Sequence, residues 1–328
     1  MKLIDPFTVV LLAIIVLAAI VPAEGQVATG LGWAGTLGVG GLFFAHGAAL
    51  SRESIVAGIT HWRLHLLILA MTFGVCPLIV VPISWLAPAV IPPALATGFL
   101  YLGALPSAVT SSIAFTAVAR GNVAAAVCAA AASNVFGLMA TPFVFMLLAH
   151  STDGGGVDVG HALIQISVQL LMPFAAGQLS RPVIGAFLDR HARAAGHYDK
   201  AVILLIVYTA FSQFVASGYW RQMSPAGIAI AFMLCIGVLA LMMGLSVGLA
   251  RLCGFDRADE TALLFCGSKK SLASGLPMAN VLFAGQAGLG LIILPIMIYN
   301  QTQIIVSAVI ARLYAGSAPA ETVAERAP

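Results

Sequence analysis

Two adjacent lysines in the middle of an apolar segment are the feature that most restricts the fold of this chain. Lys269 and Lys270 lie within an apolar run from about Thr261 to Phe283. A charged side chain at the depth of a bilayer costs roughly 2.5–3.5 kcal/mol, and it usually faces a partner or a cavity. Moving the lysines into a loop would leave a run starting at Leu272 that is shorter than the about 20 residues a membrane helix needs. The segment is therefore predicted to be a membrane helix that is interrupted near its centre.

Residues that favour a break, and residues with hydroxyl groups, surround the two lysines. Glycine and proline allow a membrane helix to unwind and to expose backbone groups that hold a solute or an ion. The predicted structural breaks in this run are Gly267, Gly275 and Pro277. The predicted binding residues are Ser268, Lys269, Lys270, Ser271 and Ser274. The alternative is a cytoplasmic loop that happens to carry two lysines.

Composition places the whole chain among the polytopic, all-α membrane proteins. Its mean hydropathy is +1.04, and only 8% of its residues are charged, whereas a soluble globular chain carries roughly 25% charged residues. The apolar residues form long continuous runs, unlike the short alternating segments of a membrane β-barrel. The five cysteines show no metal-ligand spacing and are predicted to pack in the interior.

Ten apolar runs predict ten transmembrane helices. If both termini are cytoplasmic, 12 of the 15 Lys and Arg residues fall on the cytoplasmic side, and only Arg221 falls on the other side. Positive residues favour the cytoplasmic side, so the chain is predicted to be a multi-pass protein of the inner (cytoplasmic) membrane. The predicted spans cover residues 7–22, 31–50, 64–86, 94–118, 123–149, 161–179, 200–218, 225–250, 261–283 and 287–311.

The span count also predicts an internal repeat. Two successive blocks of five spans have opposite orientations in the membrane, because five is odd, and this is the arithmetic of an inverted repeat. The first five-helix repeat covers residues 1–149, the second covers residues 150–314, and residues 315–328 form a disordered cytoplasmic tail. The one sizeable polar internal loop is expected over residues 180–199. Spans four and nine are then symmetry partners, and both are expected to be broken helices that cross.

Span four carries polar residues that match this expectation. Pro106 is a further predicted break, and the hydroxyl side chains of Ser107, Thr110, Ser111 and Ser112 follow it. A hydroxyl in a membrane helix can bond back to the preceding turn. Four hydroxyls within six residues after a proline favour the second half of a binding site instead.

At these residues the chain resembles the bile acid:sodium symporter family, and in particular its bile-acid-symporter-like (SBF-like) branch. The resemblance covers the chain from the first span to about Tyr314, and the run around the lysines is its most specific part. The residues that carry it are Phe43-Phe44, Trp62 to Leu66, Leu105-Pro106, Thr110 to Ser112, Ala119 to Val123, Thr141-Pro142, Gly267 to Pro277 and Gln303.

The resemblance implies a panel domain, a core domain in which the broken spans four and nine cross, and symport driven by sodium. Sodium-coupled members have a glutamate where this chain has Ser268 and an asparagine where it has Ile113. Two hydroxyl ligands expected in span five are alanines here. If sodium binds, Ser112 and Asn122 are the ligands that remain, and no other metal ligand is predicted.

The distribution of charged residues favours binding of an anion over binding of sodium. All 12 acidic residues are expected in termini or loops, so no carboxylate is expected within a span. Two buried ammonium groups also repel a cation. The leading hypothesis is a secondary transporter of a small organic anion, in which Lys269 or Lys270 supplies the positive charge that sodium supplies in relatives. Since neighbours on a helix point about 100° apart, only one lysine is expected to face the crossing.

Two alternatives stay open at the level of the sequence. One is a sodium-coupled symporter of bile-acid-like anions, and the other is a non-transporting membrane protein that regulates a partner or senses a lipid. The coupling ion, sodium or proton, is not specified, and neither is the oligomeric state. No enzyme motif and no cofactor motif is visible. The expected partners are a small organic anion and the lipid bilayer, with no nucleic acid.

Overall fold

The computed structural model of the chain describes residues 6–49, 61–151, 167–218, 225–286 and 288–316. These residues are predominantly helical and contain no β-strand. Such an architecture follows from the long apolar runs, because a backbone in the hydrocarbon core must pair its N–H and C=O groups within its own segment. The all-α class predicted from the sequence is confirmed. The predicted tail lies outside the described residues from residue 317 onward.

Thirteen α-helices and two π-helical turns follow one another along the described ranges. The α-helices are α1 (Pro6–Ile20), α2 (Gly25–Ala49), α3 (Trp62–Ala70), α4 (Cys76–Ser84), α5 (Pro93–Ala104), α6 (Val109–Val118), α7 (Val123–Ser151), α8 (Met172–Arg190), α9 (Ala192–Ala216), α10 (Pro225–Leu252), α11 (Arg257–Ser268), α12 (Leu272–Leu282) and α13 (Leu289–Gly316). The turn Met71–Val75 joins α3 to α4, and the turn Ser167–Leu171 precedes α8.

Six helical segments in the described part of the chain are long and apolar enough to cross a membrane. The pair α5–α6, bent by 61°, makes seven if it counts as one span. The total of ten spans stays a prediction, because α1, α8 and the pair α11–α12 fall outside this count. The six segments are Gly25–Ala49, Trp62–Ser84, Val123–Ala149, Ala192–Ala216, Ala226–Leu252 and Leu289–Gly316.

Each of the two predicted broken spans consists of two helices separated by a short non-helical segment. Residues 105–108 separate α5 from α6, and residues 269–271 separate α11 from α12. Pro106 lies in the first segment. The expectation that Gly267, Gly275 and Pro277 break the second helix is wrong, because Gly267 lies inside α11 and the other two residues lie inside α12.

Capping and packing explain where the second break falls. The Ser271 hydroxyl accepts a hydrogen bond from the Ser274 backbone N–H at 3.2 Å, so Ser271 acts as the N-cap that starts α12. A Cβ atom on Gly267 would lie 3.3 Å from the Cβ of Met71, and one on Gly275 would overlap the Ile296 side chain. These glycines therefore permit close approach of neighbouring elements inside continuous helices.

The polar loop expected over residues 180–199 is also helical. Helix α8 continues to Arg190, and α9 begins at Ala192. The polar stretch ends the apolar run but still forms helix on both sides of His191, since Ala and Arg are strong helix formers. Asp199 consequently lies on α9, where its carboxylate is 3.2 Å from the Nε2 atom of His46 on α2.

Two acidic residues expected in loops are buried within α11. Asp259 and Glu260 are only 9% and 7% exposed. They occupy the first turn of the helix, where the partial positive charge of the N-terminus favours carboxylates. Glu260 accepts hydrogen bonds from Arg251 at 3.0 Å and from the Tyr314 hydroxyl at 2.8 Å. These bonds fasten the start of α11 to α10 and α13.

The helices pack as two groups. Helices α1, α2, α8 and α9 form the first group, and α3 to α7 with α10 to α13 form the second. Helix α9 makes the main contact between them, against α12 and α13. Gly290 at the start of α13 allows this approach, because a Cβ atom there would lie 2.7 Å from the Cβ of Phe214.

Helices α2 and α8 cross through the same short motif, Phe-Ala-x-Gly. A Cβ atom on Gly47 of α2 would overlap the carbonyl oxygen of Phe174, and a Cβ atom on Gly177 of α8 would overlap the carbonyl oxygen of Phe44. The two contacts are reciprocal. Backbone-to-backbone approach at this point leaves no room for any side chain.

Alanine at either glycine of this crossing is expected to destabilise the protein. Overpacking a well-packed interior costs about 1–3 kcal/mol, and a backbone oxygen cannot rotate away. Thermal unfolding of the purified protein in detergent should show a lower midpoint for Gly47→Ala and for Gly177→Ala. Gly237→Ala on α10 is the matched control, since no atom lies within 4 Å of its added Cβ. Equal midpoints for all three variants would contradict the close crossing.

Candidate functional site

The two helix breaks meet in the interior of the second helix group. The Ser271 backbone N–H donates a hydrogen bond to the Pro106 carbonyl at 2.9 Å. The Ser107 hydroxyl donates to the Cys266 carbonyl at 2.6 Å. Residues 105–108 and 269–271, called the crossing below, are therefore bonded to each other directly. The sequence predicts two interrupted segments, and the structure brings their interruptions together.

Proline chemistry opens the first break. Pro106 has no N–H group, so it cannot bond to the carbonyl of Leu102, which instead accepts from Leu105 at 3.3 Å. Helix α7 holds the chain beyond this point. The Ser107 N–H donates to the Ser133 hydroxyl at 3.1 Å, and the Asn134 amide donates to the Ser107 carbonyl at 3.3 Å.

A side-chain amide from α13 holds the second break. The Lys270 N–H donates to Oε1 of Gln303, and Nε2 of Gln303 donates to the Lys270 carbonyl, both at 2.9 Å. The Gln303 side chain thus makes the two hydrogen bonds to the Lys270 peptide groups that a neighbouring β-strand would make. The Tyr299 hydroxyl donates to the Ser268 carbonyl at 2.7 Å, which occupies a carbonyl that α11 leaves free at its end.

The Lys270 ammonium group binds three backbone carbonyls. Its Nζ atom lies 2.8 Å from the oxygen of Thr72, 2.9 Å from that of Gly103 and 2.8 Å from that of Leu105. An ammonium group has three N–H donors, so all of them are used. Lys270 is 1% exposed, and within the described ranges it forms no ion pair.

The sequence leaves these three carbonyls without backbone partners. In the π-helical turn, the Cys76 N–H bonds to Met71, and the next residue, Pro77, has no N–H to offer to Thr72. Gly103 and Leu105 lie in the last turn of α5 and just beyond it, where helical carbonyls lose their partners. Three unpaired acceptors are thereby concentrated around one cation.

Lys269 points away from Lys270. The Lys269 backbone is extended, with φ −92° and ψ 144°, so neighbouring side chains leave opposite sides of the chain. The expectation of a 100° separation on a helix is therefore wrong. The Lys269 Nζ atom lies 4.1 Å from the centroid of the Phe115 ring on α6. This nitrogen is buried and has no hydrogen-bond partner among the described residues.

The hydroxyl residues of span four divide into two sets. Ser107 and Ser112 are buried, and their hydroxyls donate to the backbone of α11, with Ser112 reaching the Phe265 carbonyl at 3.0 Å. Thr110 is exposed and lies on the face of α6 opposite Ser112, whereas Ser111 is half-buried at the edge between the two faces. The structure therefore places two of the four predicted hydroxyls at the second broken segment.

The serines of span nine serve mainly to hold the backbone. The Ser268 hydroxyl donates to the Leu264 carbonyl in its own helix. The Ser271 hydroxyl donates to that of Ser274 at 3.2 Å, and the Ser274 hydroxyl donates to Oδ1 of Asn134 at 2.6 Å. Asn134 consequently bonds to both broken segments.

The two residues expected to bind sodium do not share a site. The Asn122 amide donates to Asp259 at 2.8 Å, whereas Ser112 bonds to Phe265. Asp259 and Phe265 are six residues apart on α11, which is about 9 Å along the helix axis. Oδ1 of Asn122 accepts the Ala125 N–H at 2.9 Å, so it serves as the N-cap of α7.

Sequence reasoning missed most of the residues that hold the crossing. Gln303 was visible as part of the family resemblance, but its pairing with Lys270 was not. The sequence clue to the unpaired Thr72 carbonyl is Pro77, five residues later, which has no N–H group. This proline is easily taken for part of an ordinary apolar run. Asn134 and Tyr299 lie in short polar stretches of otherwise apolar helices, and only their neighbours in space show which of these polar groups hold the crossing.

Removing the Gln303 amide is expected to weaken the crossing. In Gln303→Met the Lys270 N–H and carbonyl would both be buried without partners, at a cost of about 1–3 kcal/mol for each group. Thermal unfolding in detergent should show a clearly lower midpoint. Gln213→Met, at an exposed position on α9, is the control for loss of a glutamine. A Gln303→Met protein as stable as this control would mean that the amide does not hold the break.

The chain is similar over nearly its whole length to known membrane transport proteins. The SBF-like CPA transporter family matches residues 5–316. The chain is 46% identical over 313 residues to the "Uncharacterized protein PA2026" of Pseudomonas aeruginosa, covering 95% of this chain and 93% of the relative. It is 43% identical over 315 residues to the "Putative symporter YfeH" of Escherichia coli, with coverage of 95% and 93%.

Animal proteins are also similar. The "Sodium/bile acid cotransporter 7" of Rattus norvegicus is 30% identical over 276 residues, which cover 84% of this chain and 81% of the relative. The names of the Escherichia coli and rat relatives describe a symporter and a cotransporter, not enzymes, and the apolar helices agree with a multi-pass membrane protein. Family and relatives indicate a transporter of the bile acid:sodium symporter type, and the chain belongs to the SBF-like CPA transporter family.

Proposed function

We propose that the protein is a secondary active transporter of a small organic anion that works by alternating access around the crossing of spans four and nine. The observation that carries this proposal is the Lys270 ammonium group bound by three carbonyls where the two broken segments meet. A bound metal cation could make the same contacts. Lys270 therefore supplies from within the chain the positive charge that a coupling cation would bring.

The electrostatics of the crossing favour an anion. Helices α5 and α11 end at the crossing, and α6 and α12 begin there. Helix C-termini carry partial negative charge and N-termini carry partial positive charge. Lys270 neutralises the carbonyl end of α5, while the N-terminal ends of α6 and α12 keep their positive character. Half-helices arranged in this way bind anionic groups in transporters.

The membrane topology proposed with this function has ten spans, with both termini in the cytoplasm and two inverted repeats over residues 1–149 and 150–314. Helix α2 packs on α8, and α1 packs on α9, as expected if spans one and two are equivalent to spans six and seven. The two broken segments support a further equivalence, between spans four and nine. Asn134 on α7 and Gln303 on α13 hold the backbone of one break each, as equivalent residues in two repeats would. The distribution of Lys and Arg supports an inner-membrane location.

Alternating access needs two bodies that move against each other. The two helix groups meet mainly where α9 packs on α12 and α13. Helix α6, by contrast, packs within its own group against α7, α11 and α13, and leaves Thr110 exposed. We take this as one state of the cycle, closed on the side of α12 and open on the side of α6.

A sodium-coupled symporter of bile-acid-like anions is the second candidate. The printed name of the rat relative, a sodium/bile acid cotransporter, favours it. The side chains of Ser112 and Asn122 weigh against it, because they bond to α11 at points about 9 Å apart along the helix. The two candidates differ in one measurable property, the need for a sodium gradient.

Uptake by proteoliposomes tests both candidates. Radiolabelled taurocholate and small radiolabelled carboxylates are the probes, because the transported anion is proposed only as a class. We expect the wild-type protein to take up at least one probe equally with sodium or with choline outside. A strict requirement for an inward sodium gradient would favour the second candidate. No uptake of any probe would contradict the transport function for these anions.

Replacing Lys270 by methionine is expected to lower uptake about ten-fold or more, because three buried carbonyls lose a charge-assisted partner. Lys200→Met is the matched control, since Lys200 on α9 lies outside the crossing, 5.9 Å from the centroid of the Phe7 ring. Gel filtration must show that the compared variants are folded. A folded Lys270→Met protein with wild-type uptake would contradict the role given to this lysine.

A further inference from the structure

The two lysines of the crossing have opposite surroundings. The Lys270 ammonium donates all three of its hydrogen bonds to carbonyl oxygens. The Lys269 nitrogen is 0% exposed and has no acceptor among the described residues. Its one polar contact is with the face of the Phe115 ring, 4.1 Å away. The two adjacent lysines therefore have different environments.

These surroundings stabilise a positive charge to different degrees. Three charge-assisted hydrogen bonds replace the water that Lys270 loses on burial. At Lys269 a single cation–π contact must replace that hydration, and such a contact is weaker than the desolvation cost of a buried ammonium group. The Lys270 proton is thus held firmly in this state. The Lys269 nitrogen is better suited to exist as an uncharged amine while the crossing is closed around it.

We propose that the Lys269 amine is the site at which a coupling proton binds and leaves during transport, and that Lys270 is a fixed charge. This inference rests on the proposed transport function. The proton adds to the nitrogen lone pair from water on one side of the membrane and returns to water on the other side. One proton moves per cycle, and no other bond forms or breaks. A protonated Lys269 adds positive charge beside Phe115 of α6 when the anion is bound.

Burial explains why the ligand of this site is a proton. The nitrogen lies between α11 and the buried face of α6, with Phe115 and Phe265 forming an aromatic pair close by. Thr110, the exposed polar residue of α6, lies about 140° around the helix from Phe115, whereas Ser111 lies one turn before Phe115 on the same side. An organic anion on the exposed face at Thr110 would not touch the Lys269 nitrogen in this state. The charge of Lys269 would act on such an anion indirectly, through the half-helices that contact both the lysine and the anion.

Few other titratable groups face this nitrogen. One of them is the thiol of Cys266, which lies in the preceding turn of α11. Helix α6 and the π-helical turn Met71–Val75 contain no titratable side chain. The remaining neighbours of α11 carry Arg63 and His65 on α3, Cys128 on α7, and Cys235 and Arg251 on α10. Within the described residues, no carboxylate pairs with either lysine.

Proton-driven uptake tests the inference. Proteoliposomes are loaded with sodium-free buffer, made acidic outside, and given the taurocholate or carboxylate probe that the wild-type protein takes up. Lys269→Met can never be charged, and Lys269→Arg is always charged. We expect the pH gradient to drive about ten-fold less accumulation of the probe, or lower still, in both variants than in the wild-type protein. Lys200→Met is the control and should accumulate the probe like the wild type.

The outcomes separate three explanations. If Lys269→Arg accumulates the probe like the wild type, a fixed charge is sufficient and the proposed proton site is wrong. The proposal is equally wrong if both variants retain their response to the pH gradient, or if only a sodium gradient drives the wild-type protein. Absence of uptake by the wild-type protein under every gradient contradicts the transport function itself, and the inference is then judged by a measurement that needs no substrate.

Thermal unfolding in detergent provides that measurement. If the Lys269 amine is uncharged in this state, Lys269→Met should unfold within about 3 °C of the wild-type midpoint, a small shift for a chain of this size. Lys269→Arg should unfold well below it, because its charge cannot be removed, and Lys270→Met should also unfold well below it. A Lys269→Met protein that is destabilised as much as Lys270→Met would show that the fold needs a charge at residue 269, and it would overturn the proposal.

Discussion

The contact between the Lys270 ammonium and three backbone carbonyls is the interaction on which the interior of this protein depends. Thr72, Gly103 and Leu105 belong to two separate stretches of chain, and each presents an oxygen without an N–H partner. In an apolar interior such oxygens would be costly if left unpaired. The single cation satisfies all three and so ties the π-helical turn after α3, the end of α5 and the second break into one unit. The helices around it can then remain interrupted without losing stability.

Each interruption places a carbonyl end and an N–H end of a helix inside the membrane. The carbonyl ends require positive charge, which Lys270 supplies, together with hydroxyl donors such as Tyr299. The N–H ends of α6 and α12 remain able to attract an anion. The polar residues of α7 and α13 complete the arrangement, since Asn134 and Gln303 bond to the peptide groups that the breaks expose. Most of the polar side chains near the crossing therefore hold backbone in place, and few remain for direct contact with a solute.

Membership of a transporter family does not determine the ion chemistry. The chain shares the interrupted segments on which its resemblance to sodium symporters rests, yet Asn122 bonds to Asp259 and caps α7. Ser112 bonds to the backbone of α11 well away from that point. The same architecture thus accommodates an ammonium group at the crossing, and the carboxylates of α11 lie at its far end, where they fasten α11 to its neighbours. Positive charge inside the chain and the absence of a nearby carboxylate among the described residues agree with the anion chemistry proposed for this site.

The sequence by itself determined the all-helical class, the interrupted segment around the lysines and the family, because hydrophobic runs and a buried pair of charges have few solutions in a membrane. It singled out Pro106, Ser107, Ser112 and Lys270, which the structure places at or beside the crossing, but it placed the second break at Gly267, Gly275 and Pro277, which lie inside helices. Only the tertiary structure decided that the lysines point in opposite directions, that Thr72 and Gln303 complete the site, and that Asn122 lies elsewhere. Those facts depend on which backbone groups from distant parts of the chain meet in space. Local sequence patterns indicate which backbone groups lack a hydrogen-bond partner within their own helix. Packing determines which distant group bonds to each of them.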